Sequence, residues 1–364
     1  MDRHLERIER SQALSRRDFL RVAASAGAVG AGVVLLGACG SDDGKGSPTS
    51  TAVTVVDPPP ETTTIRLART GAMCTAPVDL AALFLAEEGF TDVQYIQTSG
   101  SDHGARQTAA GEIDFSPSLM APLTTAADRG DPLVVLAGIH PTCWDLFAGD
   151  RVQTLRDLKG KRIWVFSTNS TEPGYTFMAT LLAYVGIDLE HEVEFVSLGP
   201  SEGVSAFLAG TVDTILSFEP ISTLLRNQNI GHVILNGMMD APWSQYFCCM
   251  VTGNKDFVEK YPAATKRTLR AILKATDLCA REPERAARYL VDNGITTFDY
   301  ASTLSAVMHL SSDAWRKFNP EDTVRFHALR LREAGLVKGT PEALIARATN
   351  WRYLNEIKRE LGVA

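Results

Sequence analysis

Several segments of this 364-residue chain carry residue types suited to holding a small molecule. Ser167-Thr168-Asn169-Ser170-Thr171 is a run of hydroxyls and one amide ahead of a helical pattern. Free backbone N–H groups at a helix start attract anions or carbonyl oxygens, whereas capping alone needs a single such side chain. Phe218-Glu219-Pro220 follows the strand pattern of residues 214–217 and sets a carboxylate beyond its end. Thr70, Gly71 and Met73, and then Ser116, Pro117 and Ser118, hold comparable places in the first half of the chain. His140 and Trp144 end a further strand, and Trp243 and Tyr246 occupy the matching position later on. Tryptophan and tyrosine at a cleft mouth suit a ligand with an apolar or ring-shaped body; packing at a hinge is their competing role. Signals for catalysis are thin: there is no Gly-Lys-Ser phosphate loop and no His-Glu-x-x-His. His140 and Cys143 have metal-like spacing, but a structural zinc site takes four ligands and the others are not evident. Cys248-Cys249 invites a redox role, yet neighbours on a strand point to opposite faces, which favours packing. No catalytic residue, metal or cofactor is expected.

The elements that must position these residues are written twice. Residues 65–69 read as a short strand echoed at 163–167, residues 93–97 are echoed at 193–197, and Ala110-Gly111-Glu112-Ile113-Asp114 is echoed by Ala209-Gly210-Thr211-Val212-Asp213. Val134-Val135-Leu136 and Gly138 recur as Val233-Ile234-Leu235 and Gly237. Four matches in one order define an internal repeat. Between them lie helical patterns at 77–88, 173–185 and from Ser201 to Gly210. Each half reads strand–helix–strand–helix–strand, which predicts parallel strands joined by right-handed crossovers. The fold class is therefore α/β: two similar lobes with mostly parallel sheets joined by a hinge. An apolar stretch at 245–252 is expected to lead back to the first lobe, with amphipathic helices beyond it packed on that lobe. In such sheets ligands bind beyond the carboxyl ends of the strands, and facing lobes close around a solute by hinge motion.

Lys and Arg number 36 against 43 Asp and Glu, a net charge of −7, so there is no basic excess to hold nucleic acid. The first forty residues read as an address. Arg16-Arg17 precede an uncharged Ala- and Gly-rich run from Val22 to Ala38, the order of a twin-arginine export signal, a route that carries folded cargo. Leu36-Gly37-Ala38-Cys39 resembles a bacterial lipobox, which would place a diacylglycerol anchor on Cys39. Residues 40–64 are Gly, Ser, Asp, Thr and Pro with few bulky apolar side chains, the composition of an extended tether. The expected organisation is a signal over 1–38, a disordered tether over 39–64, a first lobe over 65–148, a second over 149–246, and a return to the first lobe with C-terminal helices over 247–364. The other five cysteines, an odd number with one vicinal pair, do not form a disulfide framework.

Three further stretches carry a family resemblance: Leu155-Arg156-Asp157-Leu158-Lys159-Gly160-Lys161-Arg162-Ile163, the Ala209–Asp213 run followed by Phe218-Glu219-Pro220, and Asp256-Phe257-Val258-Glu259-Lys260-Tyr261-Pro262. Over roughly residues 65–361 the chain resembles the nitrate/sulfonate/taurine class of ABC-transporter solute-binding lipoproteins, with the periplasmic-binding-protein type II fold. The resemblance implies a non-enzymatic, exported, lipid-anchored monomer that captures a small organic solute between its lobes and delivers it to a membrane permease. It places the solute against Thr70–Met73, Ser116–Ser118, Ser167–Thr171 and Glu219. Those loops hold no Arg or Lys to meet nitrate or a sulfonate, so a sulfonate held by amides and hydroxyls, a pyrimidine or an aromatic solute all stay open. The alternatives are a ligand sensor for a signalling partner and an enzyme like the thiamine-pyrimidine synthases, whose cysteine-rich stretch is similar to Tyr246-Phe247-Cys248-Cys249.

Overall fold

The computed structural model describes residues 57–98, 102–219, 221–310 and 313–363. The expected signal, Cys39 and the first part of the tether lie outside the described residues. Two five-stranded sheets form the frame. The first contains β1 (Thr64–Arg69), β2 (Asp92–Gln97), β3 (Phe115–Leu119), β4 (Leu133–Pro141) and β10 (Phe247–Asn254), in the order β2-β1-β3-β10-β4. The second contains β5 (Trp144–Ala148), β6 (Arg162–Val165), β7 (Glu194–Ser197), β8 (Thr214–Phe218) and β9 (His232–Asn236), in the order β7-β6-β8-β5-β9. In each sheet four strands run in one direction and a single antiparallel strand lies between the last two of them: β10 lies between β3 and β4, and β5 between β8 and β9. The two sheets are thus built alike, as the internal repeat predicts.

The repeated Ala-Gly-x-x-Asp run has a physical cause. Gly111 and Gly210 take φ of +75° and +66°, the left-handed turn that ends each preceding helix. The aspartate three residues on then anchors the start of the neighbouring strand. Asp114 accepts the backbone N–H of Arg66 at 2.7 Å and its guanidinium at 2.5 Å, and Asp213 accepts the backbone N–H of Arg162 at 2.8 Å. Each arginine also donates to the carbonyl of the turn glycine, at 2.7 and 2.8 Å. Arg66 and Arg162 are therefore counterparts, so β1 and β6 correspond two residues away from the match of 65–69 with 163–167. A slip of two keeps every side chain on its face, so the hydrophobic pattern does not report it.

Three further expectations change. β5 pairs in the second sheet, so the chain leaves the first sheet after Pro141 rather than after 148. Helix Pro320–Glu333 packs on helices of both lobes, Met120–Arg129 and Pro173–Val185, rather than on the first alone. Residues 57–61 are docked rather than a free tether. Glu61 accepts the N–H groups of Ala263 and Ala264, both at 2.9 Å, at the start of helix Pro262–Arg281, where backbone donors lack helical partners. Asp57 pairs with Lys266 at 2.6 Å and Arg270 at 2.5 Å on the same helix. Among the described residues no helix is long and apolar enough to cross a membrane.

Candidate functional site

A cavity of about 500 Å³ lies beyond the ends of β1, β3, β6 and β8. On the first-sheet side its wall is the turn after β1. Thr70 Oγ1 shares a 2.5 Å hydrogen bond with Thr75 Oγ1 and accepts the N–H of Ala72 at 3.0 Å. Gly71 supplies the φ of +73° that the turn requires. The turn presents Met73 and Cys74 to the cavity, beside Leu119 at the end of β3. His103, in the left-handed region at φ +54°, completes this side with a buried Nδ1 that has no hydrogen-bond partner.

The second-sheet side is largely apolar. Trp164, Val165 and Phe166 end β6, with Trp164 edge-on to Phe166 at 5.4 Å, and Val204, Leu216, Phe218 and Ile221 continue the wall. Trp164 is seated by a glycine: a Cβ on Gly203 would fall 1.8 Å from the indole, whose Nε1 donates to Leu198 O at 3.1 Å. Replacing Gly203 with alanine is expected to drive Trp164 out of that seat, at a cost of about 1–3 kcal/mol. Near-ultraviolet circular dichroism read alongside thermal unfolding checks this; an unchanged spectrum and midpoint would disprove the seating.

Two carboxylates face this cavity. Glu172 caps helix Pro173–Val185, accepting from the N–H groups of Gly174 at 3.0 Å and Tyr175 at 2.5 Å; burial nonetheless holds its carboxyl above the ordinary range. Glu219 is held by Arg226, which also binds Asp145 on β5, and by the N–H of Thr223 at 3.2 Å. His309, on helix Tyr300–Leu310, approaches Glu219 to 3.8 Å. No Lys or Arg lines the cavity among the described residues.

Of the residues expected to contact a solute, Thr70, Met73 and Glu219 line this cavity, and Gly71 shapes its first wall. Ser116 and Ser118 do not reach it: Ser116 Oγ accepts from Thr108 Oγ1 at 2.8 Å and lies 3.0 Å from Ser118 Oγ, and Pro117 is paired within the sheet against Val251. Ser167, Asn169, Ser170 and Thr171 are likewise outside the lining. Asn169 Oδ1 takes the N–H and hydroxyl of Thr171, both at 3.0 Å, and the Ser170 carbonyl takes the Thr125 hydroxyl at 2.6 Å. Trp144 and Trp243 are 1% exposed and pack on one another at 5.5 Å, and Tyr246 stacks on Phe326 at 4.2 Å. These aromatic residues take the packing role at the crossings between sheets. Sequence reasoning missed Cys74, His103, Trp164, Phe166, Glu172, Val204, Ile221 and Leu310; the apolar ones carry a pattern indistinguishable from core.

His140 lies below the cavity among thiols. Donor atoms of Cys74, His140 and Cys249 all fall within 4.8 Å of one another, and Cys143 Sγ lies 3.4 Å from Cys248 Sγ. The alternation argument fails at Cys248-Cys249 because β10 bulges there: Phe247 pairs with Pro141 and Cys249 with His140, two residues against one. Hydrogen bonds from Cys143 and Cys249 hold the Cys74 thiol well below its ordinary range, while burial, followed by contact with Cys248 and Cys74, pushes Cys249 up.

Two α/β sheets built alike, crossed twice by the chain and enclosing a cavity at their strand ends, define the periplasmic-binding-protein architecture. The chain belongs to the NMT1-like family, whose model matches residues 58–291. It is 27% identical over 301 residues to the nitrate/nitrite binding protein NrtA of Synechococcus elongatus, covering 73% of this chain and 66% of that protein. The chain thus spans about two thirds of that relative's length. The structure of the periplasmic nitrate-binding protein NrtA from Synechocystis PCC 6803 has a TM-score of 0.64 at 15% identity, covering 84% of this chain and 90% of the other. A putative periplasmic sulfonate-binding protein SsuA of a sulfonate ABC transporter, from Methylobacillus flagellatus KT, has a TM-score of 0.61 at 18% identity, covering 82% and 95%. These relatives are named as binding proteins, not enzymes, in agreement with the resemblance drawn from the sequence.

Proposed function

We propose that this chain is the extracytoplasmic solute-binding component of an ABC importer. It captures a small organic solute in the cavity between its sheets and hands it to a membrane permease. The observation that carries this reading is the cavity itself, enclosed by strand-end loops of both sheets in a chain similar to named binding proteins. We infer from the lining a ligand class other than the nitrate and sulfonate in those relatives' names. A mostly apolar wall with two carboxylates and no Lys or Arg among the described residues disfavours nitrate and sulfonates by charge. It suits a neutral or cationic solute with an aromatic or aliphatic body. In this reading residues 1–38 direct export, Cys39 carries the lipid anchor, and the chain works as a monomer outside the cytoplasm.

Thermal unfolding of the full chain against nitrate, alkanesulfonates, pyrimidines, aromatic acids and aromatic amines tests this. A solute at 100 times its Kd adds about 2.7 kcal/mol, which raises the midpoint by roughly 5 °C or more. A neutral or cationic ring compound is expected to respond, and Phe166→Ala to abolish most of the response. A shift with nitrate or a sulfonate alone would overturn the ligand class, and no shift with any class would remove the solute-binding reading.

A further inference from the structure

The mouth of the cavity is not the whole of the site. Beneath its floor, four of the protein's buried free cysteines and His140 come from three separated segments: the turn after β1, the end of β4 with the crossing that follows, and the bulge of β10. Packing alone does not account for the set, because small apolar side chains fill such space without unpaired polar atoms. His140 is 3% exposed, and its Nδ1 lies 2.7 Å from the Pro141 carbonyl, which can only accept. Nδ1 therefore carries the proton, and Nε2 is left with a buried lone pair that makes no hydrogen bond of ordinary geometry, with the Cys74 thiol beside the ring. A backbone carbonyl fixing the tautomer of an otherwise bare imidazole is the arrangement by which proteins prepare a histidine for a metal ion.

We propose that Cys74, Cys249 and His140 form a binding site for one thiophilic d10 metal ion, Zn²⁺ or Cu⁺, at the floor of the cavity. Thiolate and imidazole are the donors that such ions prefer. A divalent ion would exchange for the two thiol protons of Cys74 and Cys249, released to solvent through the cavity. With neutral His140 the three-ligand core then carries no net charge, as a buried site requires. Cu⁺ reaches neutrality by displacing one thiol proton. Cys74 and Cys143 line the cavity and give the ion an entry path, and Cys143 and Cys248 adjoin the core as a source of a fourth ligand. A Cys143–Cys248 disulfide is the competing reading, and it would leave Cys74, Cys249 and His140 unexplained. The expected twin-arginine export of folded cargo would allow the site to be filled before the thiols meet an oxidising compartment.

The test uses the full chain, purified in detergent under anaerobic reducing conditions and titrated with Zn²⁺ and with Cu⁺ against a chromophoric chelator. One equivalent of either ion supports the site, and whichever binds tighter identifies the ion. Cys74→Ser and Cys249→Ser are each expected to weaken binding by about 100-fold or more, beyond the 10- to 100-fold typical of losing an outer partner. Cys279→Ser, another buried thiol, is expected to leave it unchanged. Should the serine variants unfold by circular dichroism, Co²⁺ added to the unaltered chain decides: a sulfur-to-cobalt charge-transfer band supports the site and its absence sinks it. Failure of both ions to bind, or isolation of the chain with a Cys143–Cys248 disulfide and no ion retained after reduction, overturns the proposal. Metal stoichiometry is read without any solute, so this outcome and that of the solute panel are independent.

Discussion

Replacing His327 with methionine is expected to gain about 3 kcal/mol on the unaltered protein between pH 7 and pH 4. His327 sits on helix Pro320–Glu333, where its ring meets Phe326 at 5.5 Å and, from helix Pro173–Val185 of the second lobe, Phe177 at 6.0 Å. Its Nδ1 has no partner, and burial pushes its pKa from 6.5 down to about 3. Between those values the unfolded chain binds a proton that the folded chain refuses. The stability contributed by neutral His327 is therefore complete above pH 6.5 and is lost as pH falls toward 3. At pH 4 the loss is about 2.5 pKa spans of 1.36 kcal/mol each, or roughly 5–10 °C in the unfolding midpoint. Asp79 works in the opposite sense, since burial, opposed by Arg69, raises its pKa to about 6 and its ionisation costs stability as pH rises through that value. Both proteins carry Asp79, so the difference between their pH profiles isolates the histidine. Denaturant unfolding of the two at pH 7 and pH 4 measures it, and a gap that does not change with pH would show that His327 is not held neutral in the fold.

That histidine also marks where the sequence stops being legible. The strands, the repeat and the left-handed turns at Gly111 and Gly210 follow from local chemistry, because glycine and an aspartate three residues later act within one short segment. The correspondence of Arg66 with Arg162 does not follow, since a shift of two residues preserves the alternation of faces. The placement of β5 does not follow either: an apolar strand after a turn carries no mark of which sheet completes it. The site divides in the same way. Thr70, Met73 and Glu219 were accessible because ligand-facing loops follow strand ends in this class of sheet. Trp164, Val204 and Ile221 were hidden because an apolar cavity wall and a hydrophobic core draw on the same residues. The meeting of His140 with Cys74 and Cys249 was hidden for another reason, because the three lie far apart in sequence and come together beside a bulge in β10. The hydroxyl-rich loop at 167–171 lies outside the cavity lining, and polar side chains of Ser167 and Asn169 bond within the loop itself.

Arg226→Met is expected to cost about 3 kcal/mol, and neutralising its two partners is expected to return most of that loss. Arg226 joins Asp145 of β5 to Glu219 beyond β8, and the side chains of those carboxylates are only 7% and 6% exposed. Removing one member of a buried ion pair typically costs 3–5 kcal/mol, because the remaining charge has no partner. The lower figure applies here, since the Arg226 side chain is itself 34% exposed and water can reach the site. The triple variant Asp145→Asn, Glu219→Gln, Arg226→Met removes all three charges and is expected to lie within about 1–2 kcal/mol of the unaltered chain, since charge-free replacements of buried ionic triads are often close to neutral. Midpoints of thermal unfolding for the single and triple variants decide the matter. Equal losses in both would mean that the arginine acts by packing rather than by charge. The triple variant also takes the Glu219 charge out of the cavity wall. A cationic solute identified by the thermal panel should then lose affinity to the triple variant, whereas a neutral one should keep most of it.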